Sequence, residues 1–110
     1  MSMQRCCPQA KVSDRDFEPE AVLLKAIADP HRLTILATLA QATDDVCVCD
    51  FTGGLPLNQP TVSHHLRVLR DAQLVTSERR GTWVYYRIAP EAAARIQGAI
   101  GSVFRQNALA

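Results

Sequence analysis

Apolar positions follow a helical period over most of this chain, switch once to a strand period, and then return to the helical one. Residues 1–17 follow neither period, because Pro8 and scattered charges break any stripe, and they read as a flexible arm. From Glu18 to Ala28, the residues Leu23, Leu24, Ile27 and Ala28 make an apolar row, with Pro19 in a first turn that has no use for its missing N–H. Asp29 is placed to cap a second helix that starts at Pro30 and turns Leu33, Leu36, Ala37 and Ala40 inward. A short third helix is expected to begin near Cys49 and to stop at Gly53-Gly54 or by Pro56. Asn58 then caps a fourth, from Gln59 to Ala72, with Pro60 in its first turn. The runs Val75–Glu78 and Trp83–Ile88 are rich in β-branched and aromatic residues, and Arg79-Arg80-Gly81-Thr82 between them predicts a β-hairpin. After Pro90 a last helix carries Ala92, Ala93, Ile96, Ile100 and Val103 on one side, a stripe that needs a partner.

The order is α-α-α-α-β-β-α over residues 18–104, followed by a tail at 105–110. At 110 residues this is one small domain with little core to spare, so help from a second subunit is expected. A hydrophobic content of 47% against 21% charged residues argues for a folded chain. No apolar run approaches the ~20 residues that span a bilayer and the first residues lack a signal-peptide core, so the expected location is the cytoplasm, away from membranes. Four cysteines in a reducing compartment read as metal-binding or redox thiols before they read as disulfides.

Net charge is only +1, but it is segregated. Residues 14–50 hold eight acids against three bases, a balance of −5, whereas residues 59–87 hold five arginines against two acids, a balance of +3. The basic part coincides with the fourth helix and the hairpin. On that helix Val62, His65, Leu66 and Leu69 share one face, and Pro60, Ser63, His64, Arg67 and Asp71 share the opposite one. Two closely spaced helices followed by a basic hairpin are the layout of a winged helix-turn-helix, whose second helix enters the major groove. Gln59, Ser63 and His64 can then hydrogen-bond base edges, Thr61 can donate to phosphate, and Arg67 can reach a phosphate or a guanine. Arg79 and Arg80 stand at the hairpin tip. His65, on the apolar face, reads as a packed histidine, and His31 likewise reads as structural.

The thiols form two pairs, Cys6-Cys7 in the arm and Cys47 with Cys49 at the start of the third helix. Thiolates with few nitrogen ligands select As(III), Sb(III), Cd(II), Pb(II), Cu(I) or Zn(II) over hard ions. A helix N-terminus at Cys49 is expected to lower its pKa. On one continuous helix Cys47 and Cys49 would diverge by about 200°, so they converge only if Cys47 lies in an extended lead-in. No Cys-x-x-Cys is present, which excludes a zinc ribbon and leaves a thiol oxidoreductase or metal carrier without its usual motif.

These residues resemble the arsenical-resistance regulators, the ArsR/SmtB family of bacterial metal-sensing repressors. The resemblance spans about Leu24 to Pro90 and is carried by four segments in order, 25–33, 46–51, 59–69 and 80–87. It implies a homodimer, joined through its first and last helices, that holds an inverted-repeat operator when empty and leaves it when an inducer binds. It implies major-groove contacts by Gln59, Ser63 and His64 and a wing carrying Arg79 and Arg80. Where many arsenic-sensing members have a third cysteine this chain has Thr52, so Cys6 or Cys7 is expected to complete the site. Residues 91–110 hold no histidine and a single acid, Glu91, which argues against the interfacial zinc site of other members. The expected inducer is As(III) or Sb(III), bound by three or four of Cys6, Cys7, Cys47 and Cys49. Cd(II) or Pb(II) on the same four thiols, or a thiol redox switch, are the alternatives.

Overall fold

The computed structural model describes residues 9–105, so Cys6 and Cys7 lie outside the described residues. The chain runs α1 Glu18–Ile27, α2 Pro30–Gln41, β1 Val46–Cys47, α3 Val48–Gly54, α4 Gln59–Asp71, β2 Val75–Arg80, β3 Trp83–Ile88 and α5 Ala92–Phe104. This is the expected winged helix-turn-helix with one addition. A two-residue strand, β1, pairs antiparallel with β3 and turns the hairpin into a three-stranded sheet of order β1-β3-β2. Among the described residues no helix is long and apolar enough to cross a membrane.

The helix ends follow the capping chemistry of the sequence. The Asp29 carboxylate accepts from the N–H groups of His31 and Arg32 at 2.9 and 3.1 Å, and Asn58 Oδ1 accepts from Thr61 N–H at 3.0 Å. At the far end of α4, Gln73 takes a positive φ of 62°. Gln73 N–H then reaches Arg70 O at 2.8 Å and Leu74 N–H reaches Leu69 O at 3.0 Å, the paired bonds of a Schellman stop. Arg95 of α5 covers the same end, donating from Nη1 to the carbonyls of Ala72 and Gln73 at 3.0 and 2.9 Å. In the wing, Gly81 has φ +65° and Thr82 does not share the positive sign, the pattern of a two-residue type II′ turn with glycine first.

The core gathers Ile35 and Leu39 of α2, Val48 and Phe51 of α3, Val62, Leu66 and Leu69 of α4, and Leu74, Val75 and Tyr86 around the sheet. The buried face of α4 is Val62, His65, Leu66 and Leu69, as its period predicts. On α2 the expected inward set needs correction: Ile35 and Leu39 are buried and Leu36 half-buried, whereas Leu33 is 51% exposed and Ala37 and Ala40 face out. That helix is apolar on more than one side, so its period leaves the phase open, and packing against α4 and β3 selects the i, i+4 row. α5 behaves in the same way. Ala92, Ala99 and Ser102 are buried and Ile96 is half-buried, while Ala93, Ile100 and Val103 stay exposed, with Phe104 at 80%. α5 packs against α1 through the first row and leaves the second open.

Candidate nucleic-acid interface and thiol site

Burying one face of α4 fixes what the other presents. Gln59, His64 and Arg67 are exposed and Ser63 and Thr61 half-exposed, so the five polar residues singled out on this helix stand outside the core. At the N-terminus of α4 Pro60 has no N–H, Asn58 Oδ1 takes that of Thr61 and Asn58 O that of Val62, so in the first turn the N–H of Gln59 is the one left to point out of the helix toward an approaching anion.

Behind that surface lies a polar junction. His65, 8% exposed, has Nδ1 at 3.0 Å from Arg32 Nη1, and Arg32 Nε also donates to Ala26 O at 2.7 Å. Because a guanidinium can only donate, Nδ1 must accept, so the proton of the neutral ring sits on Nε2, which is 4.0 Å from the Asp29 carboxylate. Burial pushes the His65 pKa down, and this outweighs the opposite pull of Asp29. Ligand atoms of Asp29, His31 and His65 come within 4.8 Å of one another. The tautomer leaves His65 without a free lone pair for a cation, in keeping with a packed histidine at that position.

The wing arginines are not alike. β2 pairs with β3 from Val75↔Ile88 to Arg80↔Trp83, and strand alternation puts Glu78 and Arg80 on one face and Arg79 on the other. Arg79 is exposed and has no ion pair among the described residues. Arg80 donates to Asp45 and, at 3.0 Å, to Glu78, and its guanidinium lies 4.5 Å from the centre of the Tyr85 ring. Arg87 Nε donates to the other Asp45 oxygen at 2.7 Å. The Arg87 hydrogen bond, with the charge of Arg80, holds the Asp45 carboxyl below its usual range against the cost of burial. Sequence reasoning missed Asp45 as the centre of this cluster. Its partners lie 35 and 42 positions away, and no local pattern marks them.

The thiols converge in the way the extended lead-in requires. Cys47 belongs to β1 with φ −75° and ψ 146°, and it is the N-cap of α3. Its sulfur accepts from Cys49 N–H at 3.4 Å and from the Cys49 thiol, with the two sulfurs 2.7 Å apart. Asp50 closes the capping box by accepting from Cys47 N–H at 3.1 Å. Cys47 is buried and Cys49 exposed. The expected lowering of the Cys49 pKa is overturned: it is raised, first by donation of its S–H to Cys47, then by burial and by the nearby Cys47 and Asp50 charges. The helix-end N–H pulls the other way and loses.

The pair fits a soft ion as two of its donors. Tetrahedral ligands at ~2.3 Å from a metal stand about 3.8 Å apart, so Cys49 has to swing out by about 1 Å, which an exposed side chain can do. Thr52 occupies the next turn of α3, and its hydroxyl is turned to Cys49 O at 2.9 Å. Among the described residues of this chain there is no third sulfur.

Residues 29–77 match the model of a family described as bacterial regulatory protein, arsR family. The arsenic resistance transcriptional regulator ArsR1 of Pseudomonas putida is 33% identical over 93 residues, covering 84% of this chain and 72% of that protein. The arsenical resistance operon repressor of Bacillus subtilis is 45% identical over 67 residues, 61% of this chain and 63% of that one. Among solved structures, one described as a possible transcriptional regulator for arsenical resistance superposes with a TM-score of 0.68 at 28% identity, covering 76% of this chain and 85% of its own. With the winged helix-turn-helix and its outward polar helix in place, these matches show that the chain belongs to the arsR family of bacterial regulatory proteins, and that it is a DNA-binding transcriptional repressor and not an enzyme.

Proposed function

We propose that this repressor controls an arsenic-resistance operon, holding operator DNA when ligand-free and letting go when As(III) or Sb(III) is taken up by its cysteine thiolates. The observation that carries this reading is the convergence of Cys47 and Cys49 at the N-cap of α3, one short helix ahead of α4. As(III) takes three thiolates, and Cys6 or Cys7 supplies the one that Thr52 cannot. A homodimer on an inverted repeat follows the open apolar row of α5 together with exposed Val22 of α1, surfaces a second copy would cover. Gln59, Ser63, His64 and Arg67 read the major groove, Thr61 contacts phosphate, and Arg79 and Arg80 bring the wing to the backbone.

Release from operator DNA by As(III), Sb(III), Cd(II), Pb(II) and Zn(II), compared in the full chain and after deletion of residues 1–13, tests the reading. The expected result is release by As(III) and Sb(III) that becomes much less sensitive in the truncated protein, with DNA affinity preserved. Release by Cd(II) or Pb(II) alone would assign the thiols to those ions, and release by Zn(II) alone would remove the thiol site from the account.

A further inference from the structure

Asp45 sits two residues before Cys47 and bridges the lead-in of the thiol site to the wing. Its carboxylate is only 10% exposed and is divided between two cations, one oxygen to Arg87 and the other to Arg80. With Glu78 also on Arg80, the cluster holds two carboxylates and two guanidiniums, so the positive charge evident in the sequence is cancelled at this part of the wing. The backbone makes the same connection: Val46 pairs with Tyr86 and Cys47 with Tyr85 on β3, and Tyr85 pairs with Glu78 on β2. Asp45, Arg80 and Arg87 line a cleft of about 520 Å³ with Leu39, Thr43 and Asp44, and both guanidinium side chains remain exposed to solvent.

We propose that Asp45 and the DNA backbone compete for Arg80 and Arg87, so that the segment carrying Cys47 is clasped by the wing in free protein and released when the wing grips DNA. Phosphate and carboxylate use the same guanidinium edge, so the two contacts exclude each other. By linkage, whatever fixes the Asp45 segment against the sheet weakens the grip of the wing, and DNA binding loosens that segment by the same factor. An ion closing on Cys47 and Cys49 fixes that segment, which makes the clasp one arm of inducer release. This last step rests on the thiol reading above, whereas the competition itself does not.

Asp45→Asn in the full chain tests the competition, with binding to a random-sequence duplex followed by fluorescence anisotropy across a salt series. The variant is expected to bind roughly two- to fivefold more tightly at low salt, with a log-log salt slope steeper by about 0.9 for each arginine released. Asp44→Asn makes the same change of net charge at a neighbour outside the cluster and should have a clearly smaller effect. Wild-type affinity and slope in Asp45→Asn, or an equal gain in Asp44→Asn, would overturn the proposal. A second measurement avoids any folding defect: in isotope-labelled wild-type protein, the Nε–H signal of Arg87, the group that donates to Asp45, should move when the random duplex is added, and an unmoved signal would also overturn it. For the inducer arm, Asp45→Asn should need several-fold more arsenite for release, and an unchanged midpoint would remove that arm. If a Cys47→Ser/Cys49→Ser variant were released by arsenite like the wild type, the thiol reading would fail while the salt-slope result stood.

Discussion

Asn58 separates two jobs that meet at one point, the start of α4. Its side-chain oxygen accepts from Thr61 N–H at 3.0 Å, and that N–H belongs to a half-buried residue. Replacing Asn58 by Ala removes the acceptor and leaves the donor to water that reaches it only in part, a loss of about 1 kcal/mol within the usual 0.5–2 range. For a domain of this size that lowers the thermal midpoint by roughly 4–8 °C. Asn58→Asp keeps the acceptor and adds a charge that the helix N-terminus favours, so its midpoint should equal or exceed that of the wild type. If the start of α4 approaches phosphate as proposed, the same charge beside the free N–H of Gln59 repels it, so DNA affinity should fall in the aspartate variant and stay near wild type in folded Asn58→Ala. Calorimetry or circular dichroism melts beside anisotropy titrations on operator DNA give both readings. An unchanged midpoint in Asn58→Ala would refute the cap, and undiminished DNA affinity in Asn58→Asp would refute the approach of this helix end to the backbone.

Two further expectations concern the fold. Because burial depresses the His65 pKa below the unfolded value of 6.5, the unfolded chain binds a proton the folded chain does not, and stability should fall as pH drops from 6.5 to the folded value. Urea midpoints between pH 7.5 and 5 should decline in the wild type and decline less in His65→Gln; equal slopes would show that the ring is not the titrating group. Gln73→Gly should raise the urea midpoint by the equivalent of roughly 0.5 kcal/mol, since relief of the left-handed conformation outweighs the added freedom of the unfolded chain. A lower midpoint would mean that the Gln73 side chain makes a contact worth more than that relief.

α4 was the most legible part of the chain, because a strongly two-faced sequence admits one orientation: all four residues assigned to its inner face are buried. The hairpin was legible for a similar reason, with Gly81 meeting a turn that needs positive φ. α2 and α5 were placed correctly but rotated in expectation. Each is apolar around much of its circumference, and only the tertiary neighbour decides which row goes in. β1 left no trace in the sequence, since two residues make no period and its existence depends on β3, some 40 positions away. At the candidate site, the meeting of Cys47 and Cys49 followed from the extended lead-in, but the acidity of Cys49 did not. A rule based on the helix end alone omits the hydrogen bond to the second sulfur, the partial burial and the Asp50 charge, which together prevail. Asp45 was legible only as one acid among eight.

The hold of Arg95 on the last carbonyls of α4 bears on how far apart two reading heads can stand. α5 carries an open apolar row on one side and, on the other, a guanidinium fastened to the end of α4, the helix proposed to read the groove. In a dimer joined through that open row, α5 acts as a caliper arm: its tilt at the two-fold axis is passed by a pair of hydrogen bonds to the heel of α4 in each subunit. The span between half-sites is then gauged at the centre of the assembly, and a small rolling of α5 over its twin would alter that gauge without touching a single base-reading side chain.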